Sequence, residues 1–254
     1  MRPRSTPSST SSSFSPSHSL FPRSSPARLA PSRPYSSSSG SSRISSNFHV
    51  LYGLMGVNLA VFSYGMYAKM QAQQGFQGPY VHFLRHMTCN ATDVLRNGAY
   101  YTLVTSNFTH LDLWHLAANM FTFYYLGQFL AYSPRIAPAQ FLTIALGAGV
   151  TGSVSWLCQR YYRTGGAQLD YGRSVGFSGA LMGVTSVAAC LAPRAEVALY
   201  GIVPVPLWGL VLGYAIYDGY YLNDSSSRVA HSGHMGGMAF GVAYYFLRLR
   251  GMKF

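Results

Sequence analysis

Residues 175–192 read VGFSGALMGVTSVAACLA, eighteen residues without a charge, closed on one side by Arg173 and on the other by Pro193-Arg194. A bilayer core takes about 20 apolar residues per helix, so this run predicts a membrane span. Its interior is not that of a Leu-rich anchor. Gly179 and Gly183 stand four apart, the spacing that lets helix backbones approach closely in lipid, and Ser178 sits near the start.

Working outward, five more segments read the same way: about 48–68, 112–131, 137–158, 198–221 and 229–247. Gln71 to Gln74, Ser133-Pro134-Arg135, Arg160 to Arg173 and Asn223 to Arg228 supply the other stops. Gly233, Gly237 and Gly241 repeat the small-residue spacing in the sixth span. The expectation is an all-α membrane protein, a compact bundle of six transmembrane helices over 48–250, with a disordered N-terminal tail. Residues 69–111 form a long polar first loop whose Tyr100-Tyr101 pair suits the membrane interface.

The composition agrees. Only 9% of residues are charged against 49% hydrophobic, where a soluble domain carries roughly 25% charged. The net charge of +12 does not point to nucleic acid. Half of it lies in residues 1–47, and the rest is scattered singly, with no dense basic face carrying interleaved aromatics. Cys89, Cys158 and Cys190 are odd in number and lack a CxxC spacing, so neither a disulfide framework nor a thiolate metal site is expected. They read as two core thiols and one loop thiol. No cofactor and no metal are expected.

Residues 1–47 hold six Arg, seven Pro, twenty Ser and no acidic residue. Arg-rich, Ser-rich and acid-free is the composition of an organelle transit peptide. Arg33-Pro34-Tyr35-Ser36 resembles a site cut by the mitochondrial processing peptidase. A low-complexity tail without a targeting role and a chloroplast address are the alternatives.

Polar groups inside spans are costly and therefore candidates for function. His115 and Asn119 fall in the second span, Ser178 in the fourth and His234 in the sixth. These spans run in one direction, and each residue lies within about two turns of its span's start, so all four share a depth. Ser178 with His234 makes a nucleophile and its general base. His115 and Asn119, four apart on one helix face, can donate to a developing oxyanion. Gly179 and Gly237 would let the fourth and sixth helices meet. His231, three residues before His234, reads as a cap or a vestibule residue, His110 as a brace of the first loop, and Asp218 as an interfacial carboxylate, with a triad role the alternative.

Gly176-Phe177-Ser178-Gly179 resembles the Gly-x-Ser-Gly motif of rhomboid intramembrane serine proteases. Phe108-Thr109-His110 through His115-Leu116-Ala117-Ala118-Asn119-Met120 resembles their second-span motif. His234-Met235-Gly236-Gly237, followed by Gly241, resembles their sixth-span signature. The match extends over 48–250 in the family's order and is nearest the mitochondrial, presenilin-associated rhomboid-like branch. The resemblance implies Ser178 as nucleophile and His234 as base in a two-residue dyad. It implies an oxyanion hole of His115, Asn119 and the Ser178 N–H, with Gly176, Gly179, Gly237 and Gly241 supporting the packing.

The resemblance also implies a multi-pass protein of the mitochondrial inner membrane. Its partners would be membrane lipid and single-span transmembrane substrates, cleaved within or beside their helix. Two departures stand out: Tyr100-Tyr101 where many bacterial members have Trp-Arg, and Met182 where many place an aromatic against the base. The branch often carries an additional span before the six, and none is read here. Three other functions compete: a non-catalytic rhomboid-like protein that binds transmembrane clients for quality control, a metalloprotease using His231 and His234, and a transporter, for which no paired broken helices or repeated halves are read. The metalloprotease lacks any HExxH.

Overall fold

The computed structural model describes residues 37–166, 169–199, 202–224 and 226–251. Nine α-helices and two short antiparallel strand pairs make up most of this part. The helices are α1 (Ser37–Gln73), α2 (Gln77–Met87), α3 (Ala91–Asn97), α4 (Thr102–Thr105), α5 (Leu113–Ala131), α6 (Pro138–Arg163), α7 (Ser178–Leu191), α8 (Leu207–Tyr220) and α9 (His231–Tyr244). The strands are β1 (Cys89–Asn90), β2 (Arg173–Ser174), β3 (Glu196–Leu199) and β4 (Val203–Pro206), paired antiparallel as β1 with β2 and β3 with β4.

By length and composition α1 (over Gly40–Gln73) and α6 can cross a membrane, and α7 is apolar but shorter. Much of the outer surface is apolar: Leu113, Trp114, Phe121, Ile216 and Leu247 are all more than half exposed. Large apolar side chains exposed in this number suit a surface that meets something other than water.

The centre of the fold is α6, α7 and α9, which pack backbone to backbone. A Cβ on Gly152 of α6 would lie 2.7 Å from the Gly233 carbonyl oxygen of α9. One on Gly183 of α7 would strike Ala148 of α6, and one on Gly241 of α9 would strike the Gly183 carbonyl. Small residues at four-residue spacing therefore line all three contacts; the sequence predicts the α7–α9 contact, and α6 joins it through Ala148 and Gly152. The flanking core is larger: Leu51, Phe123, Leu130, Phe141, Ile144 and Phe177 are fully buried. Buried Asn47 fastens α1 to the α5–α6 turn, donating to the carbonyls of Ser133 (3.3 Å) and Ile136 (3.0 Å).

Several boundaries differ from the sequence expectation. Helix α1 begins at Ser37, so 37–47 belong to a helix and not to the tail; residues 1–36, with the peptidase-like site, lie outside the described residues. The first loop is itself mostly helical. Helix α1 runs on to Gln73, and α2 to α4 follow, with Phe83 of α2 filling the space left by the absent side chain of Gly65. The fifth span does not start near 198. Glu196–Leu199 and Val203–Pro206 form a hairpin, because Pro204 and Pro206 lack the N–H a helix interior needs and lie where an edge strand tolerates them; α8 starts only at Leu207. The sixth span ends its α-helix at Tyr244 and widens into a π-turn over Tyr245–Leu249. The thiols are reversed: the loop cysteine, Cys89, is the buried one, Cys158 is exposed and Cys190 is half-buried. Burial pushes the Cys89 thiol up to about 12, which makes it inert.

Candidate active site

Ser178 is the first residue of α7, so its N–H is one of the helix's unpaired first-turn donors and lies at the positive end of the helix dipole. The two residues before it are held from several sides. Gly176 has φ +120°, a conformation that favours glycine, and its N–H donates to the Ser106 carbonyl at 3.0 Å. The Phe177 ring is fully buried against Phe123 (centroids 4.9 Å apart) and Phe108 (5.9 Å). The Phe177 N–H donates to His110 Nε2 at 3.4 Å.

His110 therefore braces the serine turn and not the first loop. Since Nε2 must accept, the ring is neutral in the fold. Burial, reinforced by His115 nearby, pulls its pKa down from 6.5 to about 4.

His234 stands in the first turn of α9, where Gly237 and Gly233 allow α9 to lie against α7 and α6. Its Nε2 accepts from Ser178 Oγ–H at 2.9 Å. Its Nδ1 lies 3.1 Å from both oxygens of Asp218. A carboxylate only accepts, so Nδ1 carries the proton and Nε2 is free to take one from serine. Asp218 is fully buried. It is not the interfacial carboxylate expected from the sequence but sits against two histidines, as the triad alternative would have it. His231 Nδ1–H donates to Asp218 Oδ1 at 2.7 Å, and Ser227 Oγ–H donates to His231 Nε2 at 2.8 Å. His231 is thus neither a helix cap nor a vestibule residue but a buried support of the same carboxylate.

The second-span pair is placed close by. A Cβ on Gly176 would lie 2.8 Å from His115 Nε2, so this imidazole rests on the serine turn. Gly176 accordingly serves a loop and not a helix contact. Asn119 is buried and its Nδ2 donates to the His115 carbonyl at 2.9 Å, which orients the amide and leaves its second hydrogen free. A cavity of about 20 Å³ touches Asn107, Ser153, Gly176, Ser178, Ala230 and His234. That is room for about one water molecule, placed beside the serine–histidine pair.

Outside this centre, the segment leading to the serine is tied to the first loop. Asn90 Nδ2 donates to the carbonyls of Asp170 and Gly172, both at 2.8 Å. Arg160 grips both oxygens of Asp170, with Nε to Oδ2 at 2.7 Å. Burial pushes the Asp170 carboxyl up, but Arg160 and the Gly172 N–H more than offset this and hold it below its ordinary range. Arg173 donates to Thr88 Oγ1 at 2.8 Å. Among the described residues no cluster of three His, Cys, Asp or Glu could hold a metal.

Known proteins resemble this chain. A family model described as the rhomboid domain matches residues 97–251. RHOMBOID-like protein 12, mitochondrial, of Arabidopsis thaliana is 29% identical over 171 residues, covering 64% of this chain and 50% of that protein. Rhomboid protein 1, mitochondrial, of Saccharomyces cerevisiae is 26% identical over 198 residues, covering 77% and 52%. The human presenilin-associated rhomboid-like protein, mitochondrial, is 30% identical over 178 residues, covering 63% and 40%. The chain spans about half the length, or less, of these relatives. Its matched domain, its membrane-type helical bundle and the naming of its relatives agree that the chain belongs to the rhomboid family, on the mitochondrial branch.

Proposed function

We propose that this chain is an intramembrane serine protease of the mitochondrial inner membrane, with α1, α5, α6, α7, α8 and α9 as its six spans. The observation that carries the reading is the 2.9 Å hydrogen bond from Ser178 Oγ to His234 Nε2. It joins α7 and α9 beside His115, whose ring rests on Gly176 and whose carbonyl holds the Asn119 amide. The short helix α7 fits this role: fourteen residues rise about 21 Å, less than the roughly 30 Å hydrocarbon core. Its first residue therefore opens inside the bundle.

The chemistry follows from the geometry. Ser178 Oγ attacks the scissile carbonyl carbon as its proton passes to His234 Nε2. The oxyanion is met by the Ser178 N–H and by donors from His115 and Asn119, a contribution of about 3–4 kcal/mol per donor in comparable sites. The C–N bond breaks, and His234 returns the proton to the leaving amine. Water beside the pair then hydrolyses the acyl-enzyme, with His234 again the base. Substrates are single-span proteins whose transmembrane helix is weakened by Gly, Ser or Pro, since an intact helix ties up its carbonyls.

A client-binding protein without catalysis would have no use for a nucleophile bonded to a correctly protonated base, and that speaks against the competing reading. The test is cleavage of a reporter carrying one transmembrane segment, with the purified chain in liposomes. Ser178→Ala and His234→Ala should each abolish it. Cleavage that persists in Ser178→Ala would refute the protease reading.

A further inference from the structure

Helix α8 is mostly turned outward. Trp208, Leu212, Ile216, Tyr217 and Tyr220 are at least half exposed, and its buried residues are Leu207 at its start and Asp218 near its end. An aspartate buried in such a helix is expensive unless its oxygens are matched by donors. They are matched here, and by one helix: Oδ1 takes His231 Nδ1–H at 2.7 Å, and both oxygens face His234 Nδ1–H at 3.1 Å. His231 is in turn held by Ser227 at 2.8 Å and packed by the rings of Tyr217 and Tyr221 (centroids 5.7 and 5.9 Å).

We propose that Asp218 is the positioning residue of this site, a buried carboxylate clamped by His231 that fixes the ring and the tautomer of His234. The inference rests on the protease reading and deepens it, extending a serine–histidine pair into the chain Ser178–His234–Asp218–His231–Ser227. The carboxylate keeps the proton on Nδ1, so Nε2 faces Ser178 as an acceptor. When Nε2 takes the serine proton, the Nδ1–H bond becomes one between opposite charges and strengthens. Since the carboxylate belongs to α8 and the base to α9, the seating of α8 on α9 assembles the base.

A residue that only fastened α8 would act on stability and on substrate binding. A positioning residue acts on the chemical step. Asp218→Asn separates the two, because the amide can offer its NH₂ to His234 Nδ1 and favour the unproductive tautomer while keeping the shape. The experiment compares wild type, Ser178→Ala, Asp218→Asn, Asp218→Glu and His231→Gln as full chains in liposomes. It measures kcat and KM on the reporter, the rate at which a fluorophosphonate labels Ser178, and thermal unfolding.

Expected for Asp218→Asn is a kcat lower by about 10²- to 10⁴-fold with KM within about threefold, and labelling slowed in parallel. Asp218→Glu should recover part of the loss. His231→Gln, which removes only the clamp, should lower kcat by about tenfold. A kcat within threefold of wild type in Asp218→Asn would overturn the proposal, whatever the change in unfolding. Should Asp218→Asn fail to fold, His231→Gln decides: a lower kcat at constant KM supports the clamp, and an unchanged kcat overturns it. If wild type is no more active than Ser178→Ala, the protease reading fails and this inference with it. An active wild type with an equally active Asp218→Asn sinks this inference alone.

Discussion

Gly237 of α9 lies on the backbone of Gly179 of α7 so closely that a Cβ on Gly237 would run into the Gly179 carbonyl, with its carbon at 2.9 Å. The relation is not symmetric. A Cβ on Gly179 would find its nearest neighbour, the Gly233 carbonyl oxygen, at 3.6 Å, an ordinary contact.

Alanine substitutions at these two facing glycines should therefore behave differently. Gly237→Ala must push α9 off α7. Overpacking of this kind costs about 1–3 kcal/mol, and because His234 is one turn away, the hydrogen bond to Ser178 should stretch as well. Gly179→Ala gains helix propensity of up to about 1 kcal/mol and meets no clash. Thermal unfolding in detergent should show a clear loss for the first and little change or a gain for the second. Equal destabilisation by both would contradict the packing described.

His110 predicts a pH effect. Its ring is neutral in the fold and titrates near 4, while in the unfolded chain it returns to about 6.5. The unfolded state thus binds more protons between these values, and stability falls as the pH drops from about 6.5 towards 4. Glutamine can accept the Phe177 N–H through its side-chain oxygen but does not titrate. His110→Gln should flatten the unfolding temperature across this window. A variant whose acid sensitivity matched wild type would show that His110 is not the group responsible.

Some of this site is legible in the residues alone and some is not. Ser178, His234, His115 and Asn119 stand out because a polar group in an apolar run needs a reason, and their spacing from the span starts puts them at one depth. The glycines at four-residue intervals announce the α7–α9 contact, though not the share that α6 takes in it. Asp218 stands between an interfacial and a triad reading for a physical reason: near a span's end, a carboxylate in water and a carboxylate against two histidines leave the same mark in the sequence. The available signal was His231 and His234, three apart and in need of a common acceptor. The β3–β4 hairpin is hidden because mean hydropathy does not distinguish strand from helix; Pro204 and Pro206 carried that information.

The loop clamp around Asp170 predicts a second and more acidic transition. The folded carboxyl sits below its ordinary range through Arg160 and the Gly172 N–H, acting against burial. Its contribution is complete above the ordinary carboxylate range and is lost as the pH falls through the lowered value. Asp170→Asn removes the ion pair with Arg160 and should lower the unfolding temperature at neutral pH while weakening the acid step. Because the clamp also holds β2, five residues before Ser178, the variant should label more slowly with a fluorophosphonate. The His110 step, which starts at higher pH, should survive in this variant. If it vanished together with the Asp170 step, the two groups would not be independent.

Asn119 tests the oxyanion hole most sharply, because its amide is already half committed. One hydrogen of Nδ2 goes to the His115 carbonyl at 2.9 Å, and the other remains for the developing charge. Asn119→Ala removes a donor from the transition state and should lower kcat by about 10²- to 10³-fold with KM nearly constant. Asn119→Asp is the stricter variant. An ionised carboxylate of the same shape would face both the His115 carbonyl and the oxyanion, so it should be worse than alanine for kcat. Acidification, which protonates that carboxylate, should recover part of its activity relative to wild type at the same pH. Were alanine and aspartate both to retain wild-type kcat, Asn119 would belong to the helix and not to the chemistry, leaving His115 and the Ser178 N–H as the donors.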